Sequence, residues 1–245
     1  MSEVVGIIPA RWGSTRFPGK PLHVIAGKPL IQHVWERCRE ADCFDRVIIA
    51  TDDLRIAEAG FGLGAEIALT SPDHKSGTDR IAEVAKKLRK ASLIFNIQGD
   101  EPLIDPLLLE RLVREAERKK EIEIITAATP LSPDASLNEH NVKVVFDSSG
   151  NALYFSRSPI PFHRATGNID FYKHLGVYGY RRKALLDFVK WRPSLLEQAE
   201  QLEQLRALEN GMKIRVIVSK SNSIGVDTPE DATEVERLMM SGKSE

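Results

Sequence analysis

The chain alternates short apolar runs with amphipathic stretches from its first residues onward, and this alternation constrains the fold more than any other feature. Val4 to Ile8 and Arg46 to Ala50 are apolar and rich in β-branched residues, as buried parallel strands are. Pro29 to Glu40, between them, carries apolar residues at helical spacing. Strand, helix and strand in succession are typical of βαβ units. We therefore predict an α/β fold with a three-layer, doubly wound, mostly parallel sheet.

The same pattern continues along the chain. Further strands are predicted at Glu66 to Leu69, Leu93 to Ile97, Ile122 to Thr129, Lys173 to Tyr180 and Lys213 to Val218. Further helices are predicted at Asp53 to about Ala59, Thr78 to Leu88 with Thr78 as the cap, Pro106 to about Lys119, Lys183 to Phe188, Leu195 to Leu208, and after Pro229.

The order changes near the middle of the chain. Val142 to Phe146 and Ala152 to Ser156 flank the turn residues DSSGN, which predicts an antiparallel hairpin. A proline- and glycine-rich segment follows, and it reads as an extended arm. We expect a single domain, residues 1–245, in which about 140–182 form an elaboration.

Composition excludes several classes of protein. The 34 basic residues nearly balance the 35 acidic ones, so the chain lacks the basic field that drives nonspecific nucleic-acid binding. No apolar stretch approaches the roughly 18 residues of a membrane span. Cys38 and Cys43 lack CxxC spacing and are expected to be reduced thiols. We expect a cytoplasmic protein that neither binds nucleic acid nor inserts into a membrane.

The loop Ile7 to Leu22, IIPARWGSTRFPGKPL, follows the first predicted strand, whose ladder we expect Pro9 to end. Ligands bind at the carboxyl ends of strands in open α/β sheets. Glycines allow close backbone approach, and the loop also carries cations and hydroxyls: Arg11, Ser14, Thr15, Arg16 and Lys20. These groups suit a polyphosphate, although a solvated basic loop is the alternative interpretation.

Two acidic segments could complete such a site. Asp100 and Glu101 follow a predicted strand in NIQGDEP, and Asp227 lies in GVDTPED. One or two carboxylates together with phosphate oxygens hold Mg²⁺. The alternative is that both segments only cap the helices that follow them.

Other segments are more ambiguous. SGTDR, residues 76–80, has the groups of an anion-binding helix N-terminus, and a simple capping role fits equally well. The glycines of GFGLG, residues 60–64, follow a predicted helix and precede a strand, so they indicate a helix stop rather than a dinucleotide fingerprint.

The ordered set IIPARWGSTRFPGKPL, SGTDR, NIQGDEP, YFSRSPIP, KHLGVYGYR, LEQLR and GVDTPED resembles the 3-deoxy-manno-octulosonate (Kdo) cytidylyltransferases over nearly the whole chain. The resemblance implies a nucleotide-diphospho-sugar transferase-like fold, transfer of CMP from CTP to the anomeric hydroxyl of Kdo for lipopolysaccharide or capsule, a requirement for Mg²⁺, and a homodimer. It implies that the 140–182 elaboration contributes to sugar binding and to the dimer contact.

The resemblance also assigns residues. Nucleotide binding falls to Arg11, Ser14, Arg16, Lys20, Arg80 and Gln98; catalysis to Lys20, Asp100 and Asp227; the metal to Asp100 and Asp227; and the sugar acid to Arg157, His174, Tyr178, Glu203 and Gln204. Taken singly, each residue of the sugar set also fits a surface or structural role.

Two other functions stay open at this point. One is cytidylyl transfer to a different sugar acid, such as sialic acid or an amino-substituted Kdo. The other is nucleotide binding without turnover on the same fold, against which Asp100 and Asp227 count. A dinucleotide-dependent oxidoreductase is disfavoured because no GxGxxG follows the first strand.

Overall fold

Strands and helices alternate along most of the chain in the computed structural model, which describes residues 2–13, 16–162, 164, 170–221 and 223–241. The strands within these ranges are β1 Glu3–Ala10, β2 Val24–Ile25, β3 Lys28–Pro29, β4 Arg46–Thr51, β5 Glu66–Leu69, β6 Ala91–Asn96, β7 Ile124–Leu131, β8 Lys143–Phe146, β9 Ala152–Ser156, β10 Phe171–Arg181 and β11 Ile214–Val218. The helices are α1 Leu30–Glu40, α2 Leu54–Gly62, α3 Gly77–Lys87, α4 Pro106–Arg118, α5 Pro133–Ser136, α6 Arg182–Phe188, α7 Leu195–Glu200, α8 Gln204–Glu209 and α9 Pro229–Met240.

The central sheet has the strand order β11-β7-β10-β6-β1-β4-β5. β10 runs antiparallel to both of its neighbours, β6 and β7, and the other pairs along this path are parallel. The β8–β9 hairpin adds to β10 through Lys143. The predictions of a mostly parallel sheet and of this hairpin are therefore confirmed.

Helices cover both faces of the sheet. Ile31 of α1, Ile56 of α2 and Leu109 of α4 lie in one buried cluster. Ile81 of α3 and Leu185 of α6 lie in another. A third, smaller cluster joins α9 to Ile25 and Leu30 beside the end of the sheet that carries the loops described below. The three layers of a doubly wound fold follow from these apolar faces.

The first strand extends further than predicted. Pro9 lies inside β1, opposite Ala50 of β4, and the ladder continues to Ala10. On the other side, the register of β1 with β6 ends at Ile7 opposite Asn96. The prediction that Pro9 ends the strand was wrong because the pairing with β4 continues after the pairing with β6 has stopped.

Two helix ends differ from the predictions. Ser76, not Thr78, caps α3, since its side chain accepts a hydrogen bond from the backbone N–H of Asp79. α2 runs on to Gly62, and within it Gly60 packs so close to the sheet that a Cβ there would lie 2.6 Å from Ile67. The turn that ends this segment is at Gly64, where φ is +77°.

The predicted helix Leu195 to Leu208 is two helices. Gln201 adopts left-handed backbone angles, φ 54° and ψ 48°, and ends α7 before α8 begins. Apolar spacing continues through such a break, so periodicity alone did not show it. The break turns Glu203 and Gln204 toward the sheet edge described next. No helix of the described ranges is long and apolar enough to cross a membrane.

Candidate functional site

A cavity of about 300 Å³ opens at the carboxyl ends of β1 and β6. The described residues that line it are Pro9, Ala10, Arg11, Arg16, Lys20, Pro21, His74, Lys75, Ser76, Gly77, Arg80, Gln98, Gly99, Asp100 and Asp227. Five of these carry a full positive charge and two are carboxylates, so the cavity favours an anion.

Lys20 lies at the centre of the polar contacts in this cavity. Its Nζ donates to Asp100 Oδ2 at 2.7 Å and to the carbonyl oxygen of Val226 at 2.8 Å, and lies 3.3 Å from Asp227 Oδ1. The Lys20 side chain is only 15% exposed. One ammonium group therefore joins two carboxylates that are 127 residues apart in sequence.

Asp227 reaches this position because other residues cap α9. The Thr228 hydroxyl accepts from the N–H of Asp231, and the Asp231 carboxylate accepts from the N–H groups of Asp227 and Thr228. The Asp227 carboxylate is left to contact Lys20 and Arg16, whose guanidinium lies 3.2 Å away. GVDTPED is therefore more than a helix start, because the Asp227 carboxylate contacts two cations and does not cap α9.

Asp100 is placed by a loop that passes closely over the end of β1. A Cβ on Gly99 would lie 2.8 Å from the carbonyl oxygen of Pro9, a distance that only glycine avoids. The N–H of Val226 donates to the Asp100 carbonyl at 2.8 Å and ties the two acidic loops together. Asp105 caps α4, so Asp100 is not the helix cap that the alternative interpretation made it.

Glu101, the neighbour of Asp100, has a perturbed carboxyl group. Burial, with the negative charge of Asp100 second, raises the pKa of Glu101 to about 7.

The remaining residues predicted for the nucleotide differ in accessibility. Arg11 and Arg16 are exposed at the cavity, whereas Arg80 is buried, 3.3 Å from Asp52 Oδ2 and hydrogen-bonded to Thr70. The Gln98 amide donates to the carbonyl oxygen of Gly176 at 3.3 Å. Ser14, also predicted here, lies outside the described residues.

Sequence reasoning missed His74 and Lys75 on the wall of this cavity. His74 Nε2 lies 2.6 Å from Glu83 Oε2, which fixes the loop against α3. These residues belong to a loop without hydrophobic periodicity. Their position just before the predicted anion-binding segment SGTDR was the one available signal.

A second cavity of about 290 Å³ adjoins the first at Gly77 and Gln98. Four of the five residues predicted for the sugar line it: His174, Tyr178, Glu203 and Gln204. The described lining also contains residues that the sequence analysis did not assign to the sugar: Thr78, Asn96, Gly176, Tyr180, Gln201 and Leu202. The two cavities therefore lie side by side along the sheet edge, with Gly77 and Gln98 between them.

Polar groups in the second cavity are only partly satisfied. The Thr78 hydroxyl donates to Glu203 Oε2 at 2.7 Å. The buried Tyr178 hydroxyl and the buried Asn96 Oδ1 have no hydrogen-bond partner among the described residues. Buried polar atoms without partners are uncommon, so these two are natural contacts for a bound ligand.

A bulge in β10 shapes this cavity. Leu175 pairs with Ala127 and Tyr178 pairs with Thr126, so Gly176 and Val177 have no partner residue on β7. The Thr126 hydroxyl donates to Val177 O at 2.7 Å and lies 3.0 Å from His174 Nε2. Burial lowers the pKa of His174 to about 3, so the ring is neutral at neutral pH.

Arg157 is the one predicted sugar residue that the structure does not place at either cavity. Its Nε donates to the carbonyl oxygen of Glu200 at 2.9 Å, and its Nη1 donates to that of Glu139 at 3.2 Å. It is not among the described residues that line either cavity. Its guanidinium instead connects β9 to α7.

Comparisons with known proteins identify the family of this chain. Residues 5–214 match a family described as cytidylyltransferase. A 3-deoxy-manno-octulosonate cytidylyltransferase from Geobacter sulfurreducens is 48% identical over 95% of this chain and 98% of its own length. One from Syntrophobacter fumaroxidans is 51% identical over 95% of each chain.

Solved structures give the same result. A CMP:2-keto-3-deoxy-manno-octonic acid synthetase complexed with CTP superposes with a TM-score of 0.95 at 41% identity, covering 98% of this chain and all of the other. A 4-diphosphocytidyl-2C-methyl-D-erythritol synthase from Anaerococcus prevotii, 14% identical over 97% of this chain and 99% of its own, has a TM-score of 0.66 and shares the fold. The chain belongs to the 3-deoxy-manno-octulosonate cytidylyltransferase family of nucleotidyltransferases.

Proposed function

We propose that this protein transfers CMP from CTP to the anomeric hydroxyl of Kdo, giving CMP-Kdo and pyrophosphate. The observation that carries the proposal is a pair of adjoining cavities: a cationic cavity with Lys20, Asp100 and Asp227 at its centre shares Gly77 and Gln98 with a hydroxyl-lined cavity. The relatives named for this reaction support it over nearly their whole length.

CTP occupies the first cavity. Arg11, Arg16 and Lys20 hold the triphosphate, with the N-terminus of α3 at Ser76 and Gly77 supplying further N–H donors. Near a protein surface two unit charges 4 Å apart interact by about 4 kcal/mol, against about 1 kcal/mol in bulk water. This environment therefore strengthens the repulsion between the nucleotide and a sugar carboxylate. It strengthens the attraction of both anions to these cations equally.

Asp100 and Asp227 fit a magnesium site that the nucleotide completes. They converge on one cationic group, Lys20 Nζ, which shows that a positive charge can lie between them. The described residues hold no group of three or more His, Cys, Asp and Glu side chains suited to a metal. Two carboxylates plus phosphate oxygens and waters are the donors that Mg²⁺ uses. When bound, Mg²⁺ neutralises phosphate charge and lowers the pKa of a hydroxyl that it contacts.

Kdo occupies the second cavity, where His174, Tyr178, Glu203 and Gln204 contact it. Its anomeric hydroxyl oxygen forms the new bond to the α-phosphorus, the bond from that phosphorus to the β-phosphate oxygen breaks, and the hydroxyl proton passes to water. Lys20 stabilises the charge on the departing pyrophosphate. No protein nucleophile takes part.

The functional unit is a homodimer in the cytoplasm, and its product feeds lipopolysaccharide or capsule synthesis. The half of the chain around the 140–182 elaboration exposes large apolar side chains, among them Leu153, Phe162 and Leu195, that a second copy would cover. Cys38 and Cys43 are free thiols, as expected in a reducing compartment. Light scattering of the purified protein measures the dimer.

Product identification tests the reaction. Mass spectrometry of a mixture of the protein, CTP, Kdo and Mg²⁺ should detect CMP-Kdo, and omission of any one component, or chelation of Mg²⁺ by EDTA, should abolish it. Binding of CTP without any CMP-Kdo would identify a nucleotide-binding protein without turnover instead.

A further inference from the structure

The second cavity differs in charge from the first. Glu203 is the one fully charged side chain among the described residues that line it, and no lysine or arginine is among them. Asn96 Oδ1, an acceptor, has no partner in the described structure, and the Tyr178 hydroxyl has none either. A cavity of this kind binds hydroxyl groups better than it binds a carboxylate.

Thr126 is not among the described residues that line either cavity. It lies behind one wall of the second cavity, where its hydroxyl contacts residues of β10. It is fully buried on β7, directly opposite the bulge of β10. Its hydroxyl lies 2.7 Å from Val177 O and 3.2 Å from Leu175 O, two carbonyls at the irregular part of the ladder. A threonine hydroxyl has one proton, and the short, buried contact with Val177 O takes it.

The proton assignment of Thr126 determines that of His174. Because the Thr126 proton goes to Val177, its oxygen can only accept from the ring nitrogen that lies 3.0 Å away, so His174 Nε2 carries the ring proton. The ring packs between Phe155 and Tyr178, with centroid distances of 5.1 and 5.2 Å, which leaves little freedom to turn. Nδ1 is then a hydrogen-bond acceptor.

We infer that Thr126 is a positioning residue for sugar recognition: it fixes His174 as the Nε2–H tautomer, and His174 Nδ1 accepts a hydrogen bond from a hydroxyl of the sugar. This inference rests on the proposed function and deepens it. It places the hydroxylated part of the sugar, rather than its carboxylate, against His174. The carboxylate then lies toward Gln98 and the cations of the first cavity.

Nitrogen-15 NMR of the full-length protein tests the tautomer without any turnover. The chain has six histidines, and the spectrum of His174→Gln assigns the signal of His174. The expected wild-type spectrum shows a neutral ring protonated at Nε2. A ring protonated at Nδ1, or a charged ring at pH 7, overturns the inference.

Thr126→Val keeps the shape of the side chain and removes its hydroxyl. In this variant we expect the NMR signal of His174 to show both neutral tautomers. We expect the KM for Kdo to rise roughly 10-fold, while the KM for CTP changes little. Thr126→Ser should restore both the tautomer and the KM. Thr129→Val, at another buried threonine of β7, is the matched control and should leave both as in the wild type.

An unchanged tautomer and an unchanged KM for Kdo in folded Thr126→Val would overturn the inference, and so would failure of Thr126→Ser to restore them. If Thr126→Val does not fold, the wild-type spectrum and Thr126→Ser still decide. Wild-type protein that makes no CMP-Kdo would contradict the proposed function alone, because the tautomer is read without catalysis.

Discussion

At the scale of single residues, the site depends on one ammonium group between two carboxylates. Lys20 contacts Asp100 and Asp227 at 2.7 and 3.3 Å, so in the ligand-free chain it neutralises the charges that we assign to metal binding. If Mg²⁺ took these two carboxylates as ligands, Lys20 would be free to contact phosphate oxygens of CTP instead. Binding of the metal and of the nucleotide should therefore be coupled.

Replacing Asp100 tests the acidic half of the site. Asp100→Asn substitutes a neutral amide, which is a poor ligand for Mg²⁺, and we expect turnover to fall roughly 10²- to 10³-fold. Steady-state pyrophosphate release at saturating CTP and Mg²⁺ measures it. Asp42→Asn, an equivalent change at an exposed position, is the control. Near wild-type release by Asp100→Asn would remove Asp100 from the mechanism.

Replacing Lys20 tests the basic half. Lys20→Ala should weaken CTP binding roughly 10-fold and also slow turnover, because the lost ammonium contacts phosphate both before and during transfer. Calorimetric titration with CTP and Mg²⁺ gives the affinity. Lys28→Ala, which removes a lysine paired with Glu36 on the surface, should bind CTP as the wild type does. Equal affinities for CTP in all three proteins would show that Lys20 is only a structural cation.

At the scale of elements, loops at the strand ends determine which side chains meet. The Asn96–Pro102 loop crosses β1 at Gly99, and the α9 loop hydrogen-bonds to Asp100 through Val226. At the second cavity, the β10 bulge contributes Gly176 and the break between α7 and α8 contributes Gln201 to the lining.

Gly99→Ala tests the loop crossing. The added Cβ would lie 2.8 Å from the Pro9 carbonyl oxygen, so the loop must shift and carry Asp100 with it. We expect a loss of about 1–3 kcal/mol in the free energy of unfolding and slower turnover. Gly62→Ala in α2 meets nothing within 4 Å and should instead raise stability by about 0.5–1 kcal/mol. Urea denaturation compares the two, and an unaffected Gly99→Ala would mean that the crossing tolerates a side chain.

The sequence predicted the elements that periodicity controls and the residues that short motifs mark. For Asp227 the sequence left helix capping and metal binding both open, and the structure shows that Thr228 and Asp231 make the cap. The break at Gln201 and the bulge at Gly176 and Val177 depend on tertiary packing, which a local pattern does not record. Thr126 in a buried strand reads as an ordinary β residue, and Arg157 carries no local sign that backbone carbonyls occupy its guanidinium.

At the scale of the whole molecule, the sheet brings the two halves of the site to one edge. β1 and β6 end at the cationic cavity, while antiparallel β10, which lies between β6 and β7, carries His174 and Tyr178 to the adjoining one. This arrangement also buries the ring of His174, and this burial makes the stability of the fold depend on pH.

Stability should depend on His174 at acid pH. Burial lowers its pKa to about 3, whereas the unfolded chain takes up a proton near pH 6.5, so the free energy of unfolding should fall as the pH drops from about 6.5 toward 3. The slope contributed is at most about 1.4 kcal/mol per pH unit. Denaturation at a series of pH values should give a shallower slope for His174→Gln than for the wild type, while His140→Gln, at an exposed histidine, should match the wild type. Identical slopes in all three proteins would mean that His174 is charged in the fold.

We propose that the two adjoining cavities bring CTP and Kdo together for transfer of CMP. A coupled assay of pyrophosphate release tests it most directly when CTP is crossed against ATP, GTP and UTP, and Kdo against sialic acid and amino-substituted Kdo, all with Mg²⁺. We expect rapid release from CTP with Kdo and little from any other pair. Release that is absent with CTP and Kdo, or that is faster with another sugar acid, would contradict it.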